Sequence, residues 1–376
     1  MFEIKVAASD EERKKIYEFR YNYYFETMKR ADVRGLDQNN RLQLEEIDHY
    51  SELYYILKDQ ILVGVLRQSR LANVPYKIIE ADGLDMIYDL DKFLRFTTED
   101  KISMNSRLIL DPKVRGSFAL GKLFSQAYTD GLNAGIEFDF LTAAPNVVEV
   151  YGKSGYRRYK AGIEHPENGY DVPMVLALND VSYLTKISSP LLRPRKKIKN
   201  LAWERSVSDK FLKEFSTALK THHENVISVS NVQLSIELYK EHALSTLNIE
   251  EITEILKFAT MIKLNPGEKI IRSNQRRDEM YIVLNGCLDV TFNEASSAEY
   301  KIYPGGIVGE MAMFGQNPRS ADITANSRSL LLLFARDSVL RMMRKNSDLS
   351  SKLLFNVAKS LSKKLLAANE KGKLND

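Results

Sequence analysis

The sequence predicts two domains of different kinds: an α/β layer structure at the N-terminus and a second domain beyond a basic linker. Three observations predict this. Strand-like and helix-like stretches alternate from Phe2 to Tyr156, the order that builds strands and helices into layers. From Lys186 the composition changes, and Ser188-Ser189-Pro190 with Arg193-Pro194-Arg195-Lys196-Lys197-Ile198-Lys199 forms a proline-broken basic run that reads as a solvated linker. Beyond it, Leu349, Leu353, Val357, Leu361 and Leu365 recur four apart and mark a long closing helix with one apolar stripe. A chain of 376 residues is long enough for two cores. The expected boundaries are 1–185, a basic and helical linker over 186–236, and 237–376.

In the first domain, Phe2 to Ala7 alternates like a strand. Ser9 is a helix N-cap followed by the acidic turn Asp10-Glu11-Glu12. Ile16, Phe19, Tyr23 and Tyr24 then recur at helical spacing with Arg20 among them. Arg20 either lies along the helix flank with its head in water or points into a substrate site. Residues 32–46 are polar and read as a loop or lid. Glu45, Glu46 and Asp48 cluster before a hairpin formed by Tyr54–Leu57, the turn Lys58-Asp59-Gln60, and Ile61–Leu66 ending at Arg67. These carboxylates and Arg67 are placed to face a common cleft. Lys101–Leu110 is a strand with Ser106-Arg107, Lys122–Asn133 a helix, and Phe138–Ala143 a strand. Pro145 opens a short helix ending near Tyr151, and Gly152–Tyr156 is a turn into a late strand. Further on, Ser206–His222 and Glu250–Phe258 read as helices and Leu330–Phe334 as the last strand.

Composition sets bounds on function. Hydrophobic content of 44% and charged content of 28% suit an ordinary globular protein. No run of about 18 apolar residues exists, so no membrane span is expected. The opening MFEIKVAASDEERKK lacks an apolar signal core, which points to the cytoplasm. Cys287 has no partner and is expected to be a buried, inert thiol in a strand. His222-His223 has no further cysteine or histidine pair at ligand spacing, so no metal is expected. A net charge of +4 permits an acidic partner without demanding one. The closing helix leaves no room for a helix-turn-helix module, so no nucleic-acid partner is expected.

The stretch richest in chemistry is Ile307–Ala325, IVGEMAMFGQNPRSADITA. Gly309 lets backbone N–H groups approach an anion. Met311-Ala312-Met313-Phe314 reads as a short apolar helical turn, and Arg319 supplies a planar cation matched to phosphate oxygens. Glu310 would repel a phosphate unless it faces a sugar hydroxyl. The ligand should therefore join a phosphate to a hydroxylated ring, as a cyclic nucleotide does. The stretch resembles the phosphate-binding cassette of cyclic-nucleotide-binding domains of the catabolite-activator type. Asn265-Pro266-Gly267-Glu268 and Met280–Gly286 fit the same family's early strands, and the likeness runs from about Leu238 to the C-terminus. It implies an all-β, jelly-roll-like barrel with flanking helices. It implies that Glu310 holds the ribose 2′-hydroxyl, that Arg319 and Ser320 hold the cyclic phosphate, and that the backbone at Gly309 and Ala312 helps, with Met311 and Ala321 completing the cassette. Cyclic AMP is placed ahead of cyclic GMP, although Ser320 suits either. In the likeness the closing helix moves on nucleotide binding and often packs against a partner, so a homodimer through it is one expectation.

The order of the first domain, with Val114–Gly121 and Tyr151-Gly152-Lys153-Ser154-Gly155-Tyr156, resembles the GNAT acyltransferase fold. The likeness implies an α/β (α+β) domain whose turn at Val114, Arg115, Gly116 and Gly121 holds the phosphate of an acyl donor. It implies that Tyr151 protonates the leaving thiolate. Arg20, Tyr24, Glu45, Asp48, Arg67 and Ser106-Arg107 narrow the resemblance, over Ile4–Tyr159, to acyl-homoserine-lactone synthases and N-acyl amino acid synthases. Met104 stands where the lactone synthases usually carry glutamate, and Phe118 and Leu120 replace two of the wider family's glycines. The departures favour an N-acyl amino acid or another amide as product, with acyl carrier protein or acyl-CoA as donor and a small amine as acceptor. Asp48 or Glu45 would take the amine proton, and Arg67 and Arg107 would hold the acceptor's carboxylate or orient the carboxylates. The same charges also suit a purely structural ion-pair cluster. The chain then reads as a cyclic-nucleotide-regulated acyltransferase. The alternatives are a nucleotide-regulated protein-lysine acetyltransferase using acetyl-CoA and a non-catalytic nucleotide sensor.

Overall fold

The computed structural model describes the chain except for residues 32, 166–168, 199–228, 240–241, 293–299, 316–317 and 374–376. The expected helix Ser206–His222, the pair His222-His223 and the end of the basic run at Lys199 lie outside the described residues. The chain packs as two units: Met1–Ala143, Val148–Lys160 and Val172–Thr221 form the first, and Ala144–Val147, Ala161–Asp171 and His222–Asp376 form the second.

The first unit is built on a mixed sheet. Its strands include β1 (Phe2–Val6), β4 (Ser51–Lys58), β5 (Ile61–Arg70), β6 (Ile102–Leu110), β7 (Phe138–Ala143), β8 (Arg157–Arg158) and, from Val172 onward, β10 (Gly169–Ala177). They run in the order β1-β4-β5-β6-β7-β10-β8. The short ribbon β2 (Leu36–Asp37) and β3 (Leu42–Gln43) lies in the stretch expected as a polar loop. Helix α1 (Asp10–Tyr21) starts on the capping box that the sequence announces, with Ser9 Oγ accepting from the Glu12 N–H and Glu12 answering at the Ser9 N–H. Asp59 and Gln60 both take positive φ, the geometry of a tight two-residue hairpin turn between β4 and β5.

Period-two alternation then divides the side chains between the faces. Leu53, Tyr55 and Val65 pack with Ile16 and Tyr17 of α1. Tyr54, Ile56 and Leu66 pack with Ala119, Leu123 and Ala127 of the helix Ala119–Asn133. Short helices α2 (Tyr76–Ala81), α3 (Leu84–Tyr88) and α4 (Leu90–Phe93) close a third cluster; its Phe93 meets Phe140 edge-on at 4.6 Å. The helix Ala119–Asn133 is α5.

Among the described residues only β6 and β7 pair in parallel, and their pairing covers Ile102–Met104 against Phe138–Phe140. Beyond those residues the two strands part. Helix α6 (Val148–Ser154) runs through Gly152, Lys153 and Ser154, where a turn was expected. Gly152 lies within the helix and takes no positive φ; the turn falls at Gly155, whose φ is +120°. Helices α7 (Val181–Lys186) and α8 (Leu192–Arg195) follow, the latter within the run expected as linker.

In the second unit, β9 (Ile163–His165) pairs with the start of β10. Its main body is two four-stranded antiparallel sheets. One has the order β11 (Thr260–Leu264), β18 (Ser329–Phe334), β13 (Met280–Asn285), β16 (Ile307–Val308); the other has β12 (Lys269–Ile271), β17 (Asp322–Ala325), β14 (Leu288–Thr291), β15 (Tyr300–Ile302). Helices α9 (Val229–Leu238), α10 (Ile249–Leu256), α11 (Glu310–Gly315), α12 (Arg336–Lys345) and α13 (Ser347–Lys373) flank them. Ile255, Met342, Leu349, Leu353 and Val357 join Ile282, Ile307, Leu332 and Phe334 in one core. Cys287 lies in the turn between β13 and β14, not in a strand, and is only partly buried. The turn there is set by Gly286, at φ +88°, which takes Cys287 out of the sheet's inward alternation. Among the described residues no helix is long and apolar enough to cross a membrane, and no cluster of His, Cys, Asp and Glu suits a metal.

Candidate functional site

The cassette is held together by Gly309. Its φ is +82°, and a Cβ there would lie 2.6 Å from Arg319 Nη1 and 2.7 Å from the Glu279 carbonyl oxygen. Only glycine fits that conformation and that approach. Arg319, 5% exposed, donates to the Gly309 carbonyl at 2.9 Å and to Glu279 Oε2 at 3.2 Å. Backbone bonds fix its position: its N–H donates to the Gln275 carbonyl, and its carbonyl accepts from Asn274. Arg277 also grips Glu279, at 2.9 Å. Burial pushes the Glu279 carboxyl up, but the charges of Arg277 and Arg319 outweigh it and hold it below the usual range. Glu310, 3% exposed, opens α11 and accepts from Lys364 Nζ at 2.7 Å. Ala312 and Ala321 are buried, while Met311 and Ser320 are exposed. Gly309 and Arg319 thus meet, with Glu310 next in the chain to Gly309 but bonded to Lys364; Glu279 and Lys364 went unread.

The first unit carries a second convergence. Arg20 comes from α1, Glu45 and Asp48 from the start and middle of the 3-10 turn before β4, Arg67 from β5, and Arg107 from β6. Arg20, buried completely, pairs with Asp48 at 2.8 Å; its head does not lie in water. Arg67 donates to Glu45 at 2.6 Å, to Asp48 at 3.2 Å and to Ser106 Oγ at 2.9 Å. Arg107 forks onto Glu45 with two bonds of 2.7 Å and lies 5.6 Å from the Tyr24 ring.

A bulge aims Arg107. The β5–β6 register slips between Val65 and Arg67, and Arg107 takes φ +51°, a left-handed conformation rare for a branched-out side chain. Burial raises the Glu45 carboxyl, yet Arg67 and Arg107 pull it far below the usual range; Asp48 is held low against burial by Arg20 and then Arg67. Both are therefore weak proton acceptors in this arrangement. Three guanidiniums (Arg20, Arg67, Arg107) face two carboxylates, and Arg20 Nε and Nη2 have no hydrogen-bond partner among the described residues. The cluster has room, electrostatically, for one more anion.

The remaining sequence candidates lie elsewhere in this unit. Val114 is buried; Arg115 donates to Tyr23 Oη at 2.7 Å. Gly116 has φ +78°, and a Cβ on Gly116 or Gly121 would meet nothing. Phe118, at the N-cap of α5, is 83% exposed. Tyr151, on α6, stacks edge-on with Phe124 at 5.6 Å and Tyr156 at 6.0 Å.

A polar network that the sequence reading missed is centred on Asp139. Its carboxyl accepts from Ser103, from Tyr156 and from Asn105, the last at 2.6 Å, and Gln68 donates on to Asn105. Burial pushes Asp139 up to about 6 against those donors. Its signal was an acid between Phe138 and Phe140, at the start of the strand Phe138–Ala143. A water-sized cavity lined by Gln68, Asn105, Phe124 and Tyr156 adjoins it.

Residues 261–346 match the family model of the cyclic nucleotide-binding domain, so the second unit contains a domain of that family. Among curated proteins, the chain is similar over 142 residues to Glutaminase 2 of Bradyrhizobium diazoefficiens, at 27% identity, covering 38% of this chain and 22% of that protein. It is similar over 100 residues to a cAMP-dependent protein kinase regulatory subunit of Blastocladiella emersonii, at 29% identity, covering 26% of this chain and 25% of that protein. The chain thus spans a quarter or less of the length of these two relatives. Among solved structures, a cyclic nucleotide-binding domain from Methylobacillus flagellatus covers 39% of this chain and 84% of its own, with 16% identity and a TM-score of 0.35.

Proposed function

We propose that the chain is a cyclic-nucleotide-regulated N-acyltransferase that moves a fatty acyl group from acyl carrier protein, or from acyl-CoA, to an amine such as an amino acid. The observation that carries this reading is the buried convergence of Arg20, Glu45, Asp48, Arg67 and Arg107 in a sheet whose strands β6 and β7 part after Met104 and Phe140. Ser106 and Arg107 lie on the stretch of β6 beyond its pairing with β7, where Ser106 still pairs with Arg67 of β5. Parted strands leave backbone donors and acceptors for a pantetheine arm to use as an added strand would. The resemblance to GNAT acyltransferases and N-acyl amino acid synthases, in which these residues match, supports the same reading.

In this mechanism the acceptor's carboxylate meets the positive excess at Arg20, Arg67 and Arg107. Drawing a guanidinium away from Glu45 removes a counter-charge and raises its basicity, so that Glu45 or Asp48 can take the ammonium proton. The freed amine attacks the thioester carbonyl, the carbon–sulfur bond breaks, Tyr151 gives its proton to the thiolate, and the proton shed by the new amide nitrogen restores Tyr151. The turn from Val114 through Gly121 would hold the donor's phosphate. The second unit supplies the effector site, with Arg319 and Ser320 on the cyclic phosphate and Glu310 on the ribose. Cyclic AMP is the first candidate, since one relative is named for its dependence on it.

One observation favours a second reading. Glu45 is already answered by Arg67 and Arg107, and Asp48 by Arg20 and Arg67, as in a structural ion-pair cluster. The chain would then be a non-catalytic nucleotide sensor. Mass spectrometry of lipid extracts from cells overproducing the native chain or Arg67→Met distinguishes the two. The acyltransferase reading expects a new N-acylated amine in the native extract and its loss in Arg67→Met. Failure to find any acylated amine, with nucleotide binding intact by calorimetry, would favour the sensor. Supplying labelled acetyl-CoA against long-chain acyl carrier protein separates protein-lysine acetylation from fatty acyl transfer.

A further inference from the structure

The carboxylate assigned to the ribose already has a cationic partner. Lys364 Nζ, on α13, donates to Glu310 Oε1 at 2.7 Å and to the Ile307 carbonyl at 2.7 Å. The Glu310 side chain is 3% exposed and that of Lys364 34%, so the pair sits at the edge of the buried cassette. Helix α13 is anchored in the core through Leu349, Leu353 and Val357, whereas Leu365 and Leu366 face solvent. Lys364 therefore ties the outer part of the helix to the strand end and the helix start that frame Gly309.

We propose that Lys364 is an internal competitor for Glu310, occupying the carboxylate that a ribose 2′-hydroxyl would use and thereby setting the affinity for cyclic nucleotides. The proposal rests on the cyclic-nucleotide reading of the second unit. The exchange replaces a charge-assisted bond with a neutral hydroxyl bond, and it also leaves the Ile307 carbonyl without the ammonium. The hydroxyl therefore contributes less to binding than it would at an unoccupied carboxylate. The competition is specific to that hydroxyl: a nucleotide lacking it has no claim on Glu310 and gains nothing when Lys364 is removed.

Calorimetric titration of the full chain tests this, with cyclic AMP and 2′-deoxy cyclic AMP as paired probes and the cyclic GMP pair alongside. Lys364→Met is expected to bind the ribonucleotide about three- to fivefold more tightly than the native chain, the upper end of the scale of a partly exposed ion pair. Its affinity for the deoxy form should stay within about twofold, so that the preference for ribose widens. Lys364→Gln, which keeps a neutral donor, should fall between native and Lys364→Met; it carries the test by the same criteria if Lys364→Met does not fold. Weaker ribonucleotide binding in Lys364→Met, or an equal change for both sugars, overturns the proposal. A native chain that binds none of the four nucleotides overturns the cyclic-nucleotide reading itself.

Discussion

Asp139 shows what one buried group can do to the whole first unit. Its carboxyl is enclosed by Ser103, Asn105 and Tyr156, and burial raises it from 3.8 to about 6. The folded state therefore holds this proton more tightly than the unfolded chain does. Between the unfolded and folded values the folded state binds more protons, so stability falls as pH rises through that window. Below it the group contributes nothing, and above it the cost of burying the carboxylate is present in full. The difference is on the order of 3 kcal/mol. Thermal melts of native protein and Asp139→Asn between about pH 4 and pH 7 check this. The native chain should lose stability relative to the variant as pH rises; parallel curves would contradict the assignment.

The same scale shows what single residues disclose. Arg20, Glu45, Asp48, Arg67, Arg107, Glu310 and Arg319 were legible because each pairs an unusual charge with a recognisable spacing. Lys364 was not, because a lysine on a helix flank reads as solvated; nor was Glu279, which reaches Arg319 across 40 residues. Asp139 left a trace, an acid between Phe138 and Phe140, but its three donors come from other elements.

At the scale of elements, Gly309 is the position where backbone geometry and ligand chemistry meet. Alanine there must adopt φ +82° with its Cβ 2.6 Å from Arg319 Nη1 and 2.7 Å from a backbone oxygen. The conformation alone costs roughly 1–3 kcal/mol, and Arg319 must move. Gly309→Ala should therefore weaken cyclic-nucleotide binding by more than about tenfold in calorimetry. An unchanged affinity would show that the cassette does not bind through this turn.

Elements with a strong period or a cap were read correctly: α1 from its capping box, β4 and β5 from their alternation, α13 from its leucine stripe. Elements without a period were not. The ribbon β2–β3 lies in a polar stretch and rests on backbone fit: a Cβ on Gly35 would fall 2.0 Å from the Leu44 carbonyl oxygen. Gly152 suggested a turn that the helix ignores, since glycine costs a helix only about 1 kcal/mol. The bulge that turns Arg107 toward Glu45 has no sequence signature at all, because arginine is a poor resident of left-handed φ.

At the scale of the whole molecule, one chain carries two candidate sites, an ionic cluster at the strands where β6 and β7 cease to pair and a cassette in the cyclic nucleotide-binding domain. Coupling between them requires the nucleotide to favour one state of the proposed acyl site, typically by ~1–3 kcal/mol, or about 5- to 150-fold. The cassette of the second unit was legible because its chemistry is contained in one continuous stretch, and the family match falls on the same region. The first unit's cluster is assembled from α1, a 3-10 turn, β5 and β6, so its residues could be named from sequence while their pairing could not.

The most direct measurement is the rate of acyl transfer to an amine, taken with and without cyclic AMP, in the native chain and in Arg319→Ala. The account expects the native rate to change at least about fivefold with nucleotide, in either direction, and the Arg319→Ala rate to ignore it. Equal rates in all four conditions, or no acylated product in any of them, would contradict it.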